Sequence, residues 1–399
     1  MAPAADPLFE PLVLPCGVLL KNRIAKAAMS DSLGDGAGRP TSAQGRLYER
    51  WAEGGVALSI IGEVQGDPFA AEKPGNLVLN GESDLEAFAA LARRGSDNGA
   101  QIWPQLGHAG AMAHPPIGRA RGPSALDLPG LRAEALSGEA IAALPGQFAE
   151  TARLASRAGF GGVQVHAAHG FLLSQFLSPL FNRREDAYGG PIGNRMRLLL
   201  EVVHAVRAAV GPDLAVAVKL NVTDRLEGGL MPDESLEVIR ALDTTGIDLI
   251  DLSGGTYFPG AVSASDSGGS GPYFVDFARR ARRETSVPLM ATGGFKTRAQ
   301  ARDAVASGAV DMVGLARALV VAPELPNRWQ AGRDLEPAFP RFTDPPEGGV
   351  TAWYTMRLTE IGEDRETDTP GALQDAIDRY EGRDAARVAT WRDRFGAPG

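Results

Sequence analysis

A single cysteine, Cys16, among 399 residues sets the first limit. A disulfide within the chain needs two, and a structural zinc site or an iron–sulfur cluster held by thiolates needs more. Long apolar runs are missing too. No stretch approaches the roughly 18 uncharged apolar residues that suggest a spanning helix, and no basic segment precedes an apolar one at the N-terminus, as a secretory signal would require. A cytoplasmic location is the expectation. Positive charge is in deficit: 40 Lys and Arg stand against 49 Asp and Glu, giving a net charge of −9 and a pI near 5.2. No basic stripe offers itself to nucleic acid, and any phosphate must be held by local groups. The glycine fingerprint of an open nucleotide-binding sheet is also absent. After Met29 the chain reads Ser-Asp-Ser-Leu-Gly-Asp-Gly, and neither a Walker A loop nor a G-x-S-x-G elbow occurs elsewhere.

What the sequence does have is a repeating alternation of short apolar runs and helical segments, at 44% hydrophobic residues. The strands are read at Ile24–Met29, Val56–Gly62, Gln101–Leu106, Gly162–Ala167, Leu214–Asn221, Leu249–Gly254, Pro288–Gly293 and Met312–Leu315. They are apolar almost throughout rather than alternating, which marks strands buried on both faces of a parallel sheet. Helical periodicity is clearest over Ser137–Ala158 and Ile192–Val210, and recurs over Asp233–Thr244 and Arg298–Ser307. Eight such units predict an α/β fold of the (β/α)8, or TIM barrel, type. The barrel is expected over residues 1–335, with a long Gly/Pro/Ala-rich capping loop at 107–136. Residues 336–399 form a more charged tail with a helix around Leu373–Arg394. This tail is expected to pack on the barrel or on a neighbouring subunit, and its aromatic pair Trp353-Tyr354 suggests an interface in a homo-oligomer.

In such a barrel the chemistry gathers at the C-terminal ends of the strands. There the sequence places Ala28-Met29-Ser30, Gly62-Glu63, Gln105 with His108, His166 and His169, Lys219 with Asn221, Ser253-Gly254, Gly293-Gly294 and Gly314-Leu315-Ala316-Arg317. Two successive glycine-bearing turns after the last strands, with Arg317 beside them, suit a phosphate, because backbone N–H groups can approach it closely. Read alone, the same glycines could simply make tight turns. His166 and His169 admit three readings: metal ligands, though no third ligand completes a set; core histidines; or paired N–H donors to a carbonyl or oxyanion. Lys219, at the end of an apolar strand, needs an anion if buried. A cofactor that becomes anionic on reduction would supply one, and a side chain reaching back to solvent would not need it.

At this point the residues resemble a known family. His166-Ala-Ala-His169-Gly-Phe-Leu-Leu-Ser-Gln-Phe-Leu-Ser-Pro, then Asn182-Arg-Arg-Glu-Asp-Ala-Tyr-Gly-Gly and Asn194-Arg195, look like the signature of the old yellow enzyme family, the NADH:flavin oxidoreductases. Lys21-Asn22-Arg23-Ile24 and Ala28-Met29-Ser30 resemble its first strand. The likeness runs over roughly residues 7–330.

The resemblance implies FMN at the barrel mouth, with NADPH or NADH as reductant. Ala28, Met29, Ser30 and Gly62 would lie along the flavin, Ser30 bonding the carbonyl beside N5. Gln105 and Lys219 would contact the pyrimidine side, with His166 close by. Gly293, Gly294, Gly314, Leu315, Ala316 and Arg317 would hold the phosphate. His166 and His169 would bind the oxygen of an α,β-unsaturated carbonyl or similar small molecule that receives hydride from reduced FMN, while the protein supplies position and electrostatics. Neither a membrane nor a nucleic acid is an expected partner.

One residue departs from the family pattern: Phe171 stands where a tyrosine usually donates a proton, and phenylalanine cannot. Tyr257, on the loop after the sixth strand, is a candidate substitute. Otherwise the acceptor is a quinone or nitro compound, or the enzyme runs as a substrate dehydrogenase. The cysteine-rich second half of the dienoyl-CoA reductase and amine dehydrogenase relatives is also absent. From a different class, a non-redox barrel binding a sugar phosphate at the same turns would leave Lys219 and the histidine pair without a role.

Overall fold

In the computed structural model, which describes residues 6–258, 261, 271–367 and 371–398, the eight apolar runs form strands β1 (Ile24–Met29), β2 (Leu58–Gln65), β3 (Gln101–Leu106), β4 (Gly162–Ala167), β5 (Ala215–Asn221), β6 (Leu249–Ser253), β7 (Leu289–Thr292) and β8 (Met312–Leu315). Each pairs in parallel with its neighbours in sequence, and β8 pairs with β1 through Gly314↔Ala25, closing the barrel. Inward side chains fill the lower barrel: Ala25, Leu58, Ile60, Trp103, Ala217, Leu249, Met290 and Met312 pack as one cluster. A hairpin pairing Leu12–Val13 with Leu19–Leu20 brings Leu14 and Leu20 into the same cluster.

Each strand leads into an outer helix: α1 (Ser42–Glu53), α2 (Leu85–Gly95), α3 (Gly138–Arg157), α4 (Arg197–Val210), α5 (Pro232–Leu242), α6 (Val275–Ala281), α7 (Arg298–Ala306) and α8 (Arg317–Val321). Their starts follow local chemistry. Thr41, Asp84, Ser137 and Thr297 each accept a first-turn N–H through a side-chain oxygen, and Gln300 completes a capping box at α7. The helix read over Ile192–Val210 is two, Ile192–Arg195 and α4, with Met196 at the junction. There the buried Arg195 turns inward to the Leu177 and Gly190 carbonyls and to Glu234. Strand β2 begins later than the apolar run suggests and continues to Gln65, because its pairing with β3 slips between Ile61 and Val64.

The 107–136 connection is not featureless. Arg121–Gly122 and Leu126–Leu128 pair with Leu131–Ala135 in a small sheet, and Leu126 and Ala133 pack with Phe181 and Phe258 from the loops after β4 and β6. The tail contributes α9 (Gly349–Gly362) and α10 (Leu373–Phe395). Helix α9 lies against α1, and α10 lies against α9. Trp353 and Tyr354, expected at an interface, are buried within the chain instead, at 4% and 3% exposure. The sequence pattern does not reveal α9, whose buried residues surround the helix instead of marking one stripe. From α10, Arg387 donates to the Ser32 carbonyl at 2.7 Å, so the tail grips the loop after β1. Among the described residues no helix is long and apolar enough to cross a membrane.

One buried charge sits in the outer layer. The Lys26 ammonium, fully buried, lies 4.4 Å from the Trp51 ring centroid and 5.4 Å from that of Tyr48. Burial pulls its pKa down to about 7. Because the folded value lies below the unfolded one, this lysine weakens folding most below pH 7 and progressively less as pH rises towards the unfolded value. Lys26→Met should therefore raise unfolding stability by about 1–3 kcal/mol at pH 6, with the gain shrinking by pH 10. Urea denaturation at the two pH values checks this, and a loss at pH 6 would contradict it.

Candidate active site

The upper barrel layer is polar and cross-linked. The Gln105 amide donates to Gln164 Oε1 at 2.6 Å, and Gln164 Nε2 donates to Asp251 Oδ2 at 3.2 Å. Lys219 Nζ donates to the same Asp251 oxygen at 2.7 Å, while Thr292 Oγ1 donates to Oδ1 at 2.6 Å. Lys219 therefore already has its anion, Asp251, in place of the cofactor expected to supply it. Inspection of the strand ends overlooks Asp251 because it lies within β6, flanked by Ile250 and Leu252. An ammonium has three donors and Asp251 takes one.

Above this layer, β4 ends in the two histidines. The Ala168 N–H points at His166 Nδ1 from 3.4 Å, which places the ring proton on Nε2. That Nε2 faces Glu63 Oε1 at 3.6 Å. His169 adopts a left-handed backbone, φ 62°, uncommon for a residue with a Cβ. Its N–H donates to Asn221 Oδ1 at 3.1 Å, and its Nε2 lies 2.8 Å from Ser253 Oγ. The rings meet edge to face at 5.3 Å. Burial, together with the nearby Lys219 charge, lowers both pKa values, that of His169 to about 3 and that of His166 well below the usual imidazole range. Both rings are thus neutral near pH 7 and carry one N–H each. Phe171 is buried with its ring 4.8 Å from that of His166. Tyr257, 55% exposed, sets its ring 5.6 Å from His169 and 6.2 Å from Phe171. Most of the loop from Tyr257 to Gly271 lies outside the described residues.

The remaining expected residues divide between packing and open roles. Ala28, Met29 and Ser30 are half-buried at the end of β1. The absence of a side chain at Gly62 is explained by the fold: a Cβ there would sit 2.2 Å from the Met29 carbonyl. A Cβ on Gly314 would come within 2.1 Å of Thr292 Oγ1, and one on Gly294 (φ 82°) within 2.1 Å of the Gly271 carbonyl oxygen. Gly293 has φ 129°, which only glycine takes readily. The turns after β7 and β8 lie side by side, since Thr292 pairs with Gly314. Between them and α8, Leu315 is buried and Ala316 offers no side-chain cap. Arg317 rests 5.6 Å from the Tyr354 ring of α9.

Gly62→Ala should push β1 and β2 apart at Met29, destabilising the protein by about 1–3 kcal/mol. Thermal unfolding would measure this, and an unchanged midpoint would refute the close approach.

Glu63, Asn221 and Ser253, which the sequence places at strand ends without a role, support the site, as does Asp251. The signal for Glu63 is its contrast with the run it ends: a carboxylate closing an apolar stretch is costly to bury without a purpose.

Residues 7–336 match the family described as NADH:flavin oxidoreductase / NADH oxidase. The chain is 36% identical over 385 residues to NADH-dependent flavin oxidoreductase iliE of Neonectria sp. (strain DH2), an alignment covering 87% of this chain and 50% of that protein. It is 35% identical over 352 residues to its namesake from Hypocrea jecorina (strain QM6a), covering 79% and 87%. The chain thus spans half the length of the first relative and most of the second. Among solved structures, morphinone reductase superposes with a TM-score of 0.73 at 26% identity, covering 85% of this chain and 93% of that one. An old yellow enzyme homologue from Zymomonas mobilis does so with the same score and identity, covering 87% and 98%.

Proposed function

The chain belongs to the NADH:flavin oxidoreductase / NADH oxidase family, and on that premise we propose that it is an FMN-dependent NAD(P)H oxidoreductase reducing α,β-unsaturated carbonyl compounds or similarly activated acceptors. The observation that carries this reading is the pair of neutral imidazoles, His166 and His169, held at the barrel mouth close to Lys219. Neutral N–H donors polarise a carbonyl and stabilise the oxyanion that hydride addition creates.

The donor set fits a flavin mononucleotide. Lys219 keeps two N–H donors beyond Asp251 and, with Gln105, suits the pyrimidine edge. Ser30 and the β1 end would border the ring. The Gly293-Gly294 turn, Gly314 and the Leu315-Ala316-Arg317 segment would hold the phosphate, with Arg317 positioned by Tyr354. When bound, FMN would supply two-electron hydride chemistry. The protein's part is to orient the acceptor. Ser253 and Asn221 hold His169, and the Ala168 N–H fixes the His166 tautomer. Phe171 keeps water from one side of His166.

A second reading is favoured by Phe171 itself. A quinone or nitro acceptor, or oxidation of a substrate, would not need the phenol that this position lacks. Offering cyclohexenone and a quinone separately, without oxygen, to the reduced FMN-loaded protein decides between the two. Saturated ketone from cyclohexenone supports the first. Reoxidation by the quinone alone supports the second.

A further inference from the structure

The site contains an acid that the reading above leaves idle. Glu63 follows the apolar start of β2, is 4% exposed, and holds a left-handed backbone at φ 62°. That conformation turns its carboxyl under His166, with Oε1 3.6 Å from Nε2, while Oε2 accepts from Gln65 Nε2 at 3.0 Å. The His166 proton lies on that same Nε2, because Nδ1 faces the Ala168 N–H. A carbonyl oxygen accepting from His166 Nε2 at ordinary distance therefore comes within reach of Glu63 as well. Burial holds the Glu63 carboxyl well above the usual carboxylate range, and the neighbouring charge of Glu72 raises it further. Neutral His166 on one side and Glu72 on the other offer no cation to ionise it. Glu72 itself is half-buried, and burial raises its carboxyl too, against the pull of the neighbouring Lys73 charge.

We propose that Glu63 is the general acid of the reaction, protonating the substrate oxygen rather than the α-carbon. This rests on the alkene-reducing form of the function proposed above. Hydride, which bound reduced FMN would give up with two electrons and so be oxidised, forms the new C–H bond at the β-carbon. The alkene electrons move to join the α-carbon and the carbonyl carbon, and the carbonyl electrons move to oxygen. The Glu63 O–H bond breaks as the substrate O–H bond forms, leaving an enol and the Glu63 carboxylate. Water reprotonates Glu63, and the enol becomes the ketone in solution, taking its α-proton from water. A phenol at position 171 would instead deliver that proton to one face of carbon, which Phe171 cannot do.

Stereochemistry reads this directly. Reduction of 2-methylcyclohexenone by the FMN-loaded protein should give 2-methylcyclohexanone in equal amounts of both α-configurations, since protonation at carbon happens off the enzyme. Glu63→Gln should lower its turnover by about 10²–10⁴-fold, with flavin content and flavin reduction by NADH within about threefold of the parent. Adding Phe171→Tyr to Glu63→Gln should recover turnover and yield one α-configuration. Independently of turnover, infrared spectra of the unreacted protein at pH 7 should contain a protonated carboxyl band that Glu63→Gln removes.

A single α-configuration from the parent protein, full turnover in Glu63→Gln, or no saturated ketone at all would each overturn the proposal. If flavin binds and NADH reduces it, either of the first two results removes only the role of Glu63, and the absence of ketone removes the enone-reducing reading as well. If flavin does not bind, the function proposed above fails with it.

Discussion

Replacing His166 with alanine should lower enone turnover by about 10²–10³-fold while leaving the bound flavin reducible by NADH. The effect is large because His166 acts on charge that appears only as hydride arrives. Its Nε2–H is fixed by the Ala168 N–H and screened by Phe171, so no reorganisation is needed at that moment. His169→Ala should act in the same direction and additionally free Ser253, while the backbone N–H at 169 keeps its bond to Asn221. Stopped-flow measurement of the two half-reactions separates the cases. An equal fall in both half-reactions would mean that the histidines hold the flavin rather than the acceptor.

The pH behaviour follows from the same burial. Both histidines have folded pKa values below the unfolded value near 6.5. The unfolded chain therefore binds more protons below that pH. The stability tied to the neutral rings is fully present above about 6.5 and is lost as pH falls towards 3. Their NMR signals should not titrate between pH 5 and 8. A midpoint near 6.5 for either ring would show it to be solvated and unfit to act as a neutral donor to the acceptor oxygen.

Lys219→Met should destabilise the protein by about 3–5 kcal/mol, because Asp251 is then left as a buried charge without its cation. Asp251 is fully buried and Lys219 nearly so. The deletion is more damaging than the pair is valuable, so Lys219→Met combined with Asp251→Asn should recover most of the loss. An asparagine can still accept from Thr292 through its one side-chain oxygen. Flavin affinity should not return in the double variant, since the donor aimed at the pyrimidine is gone. Urea denaturation and FMN titration on the three variants test both statements. A double variant with parental flavin affinity would limit Lys219 to a structural role.

The barrel could be read from the sequence because its strands, buried on both faces, leave continuous apolar runs. β1, β3, β4 and β8 fall where the runs fall. The edges of β2 could not be read, since a register slip beside Glu63 is set by pairing with β3 and by the close approach of Gly62 to Met29. Histidine, lysine and glycine at strand ends were visible because such residues contrast with an apolar strand. Their partners were less visible. Asp251 pairs with Lys219 across two strands, and Glu63 meets His166 across the barrel mouth, contacts between residues far apart in sequence. Trp353 and Tyr354 show the converse: aromatic residues suggested an exposed role, and packing of α9 on α1 buries them.

The proposed function requires that this barrel hold FMN and accept electrons from a nicotinamide nucleotide. Its most direct test is to purify the protein, load it with FMN, remove oxygen, and record the visible spectrum while NADH or NADPH is added. One tightly held flavin per chain, its absorbance bleached by at least one of the two nucleotides, is the expected result. A protein that binds no FMN, or binds it without bleaching by either, would contradict it.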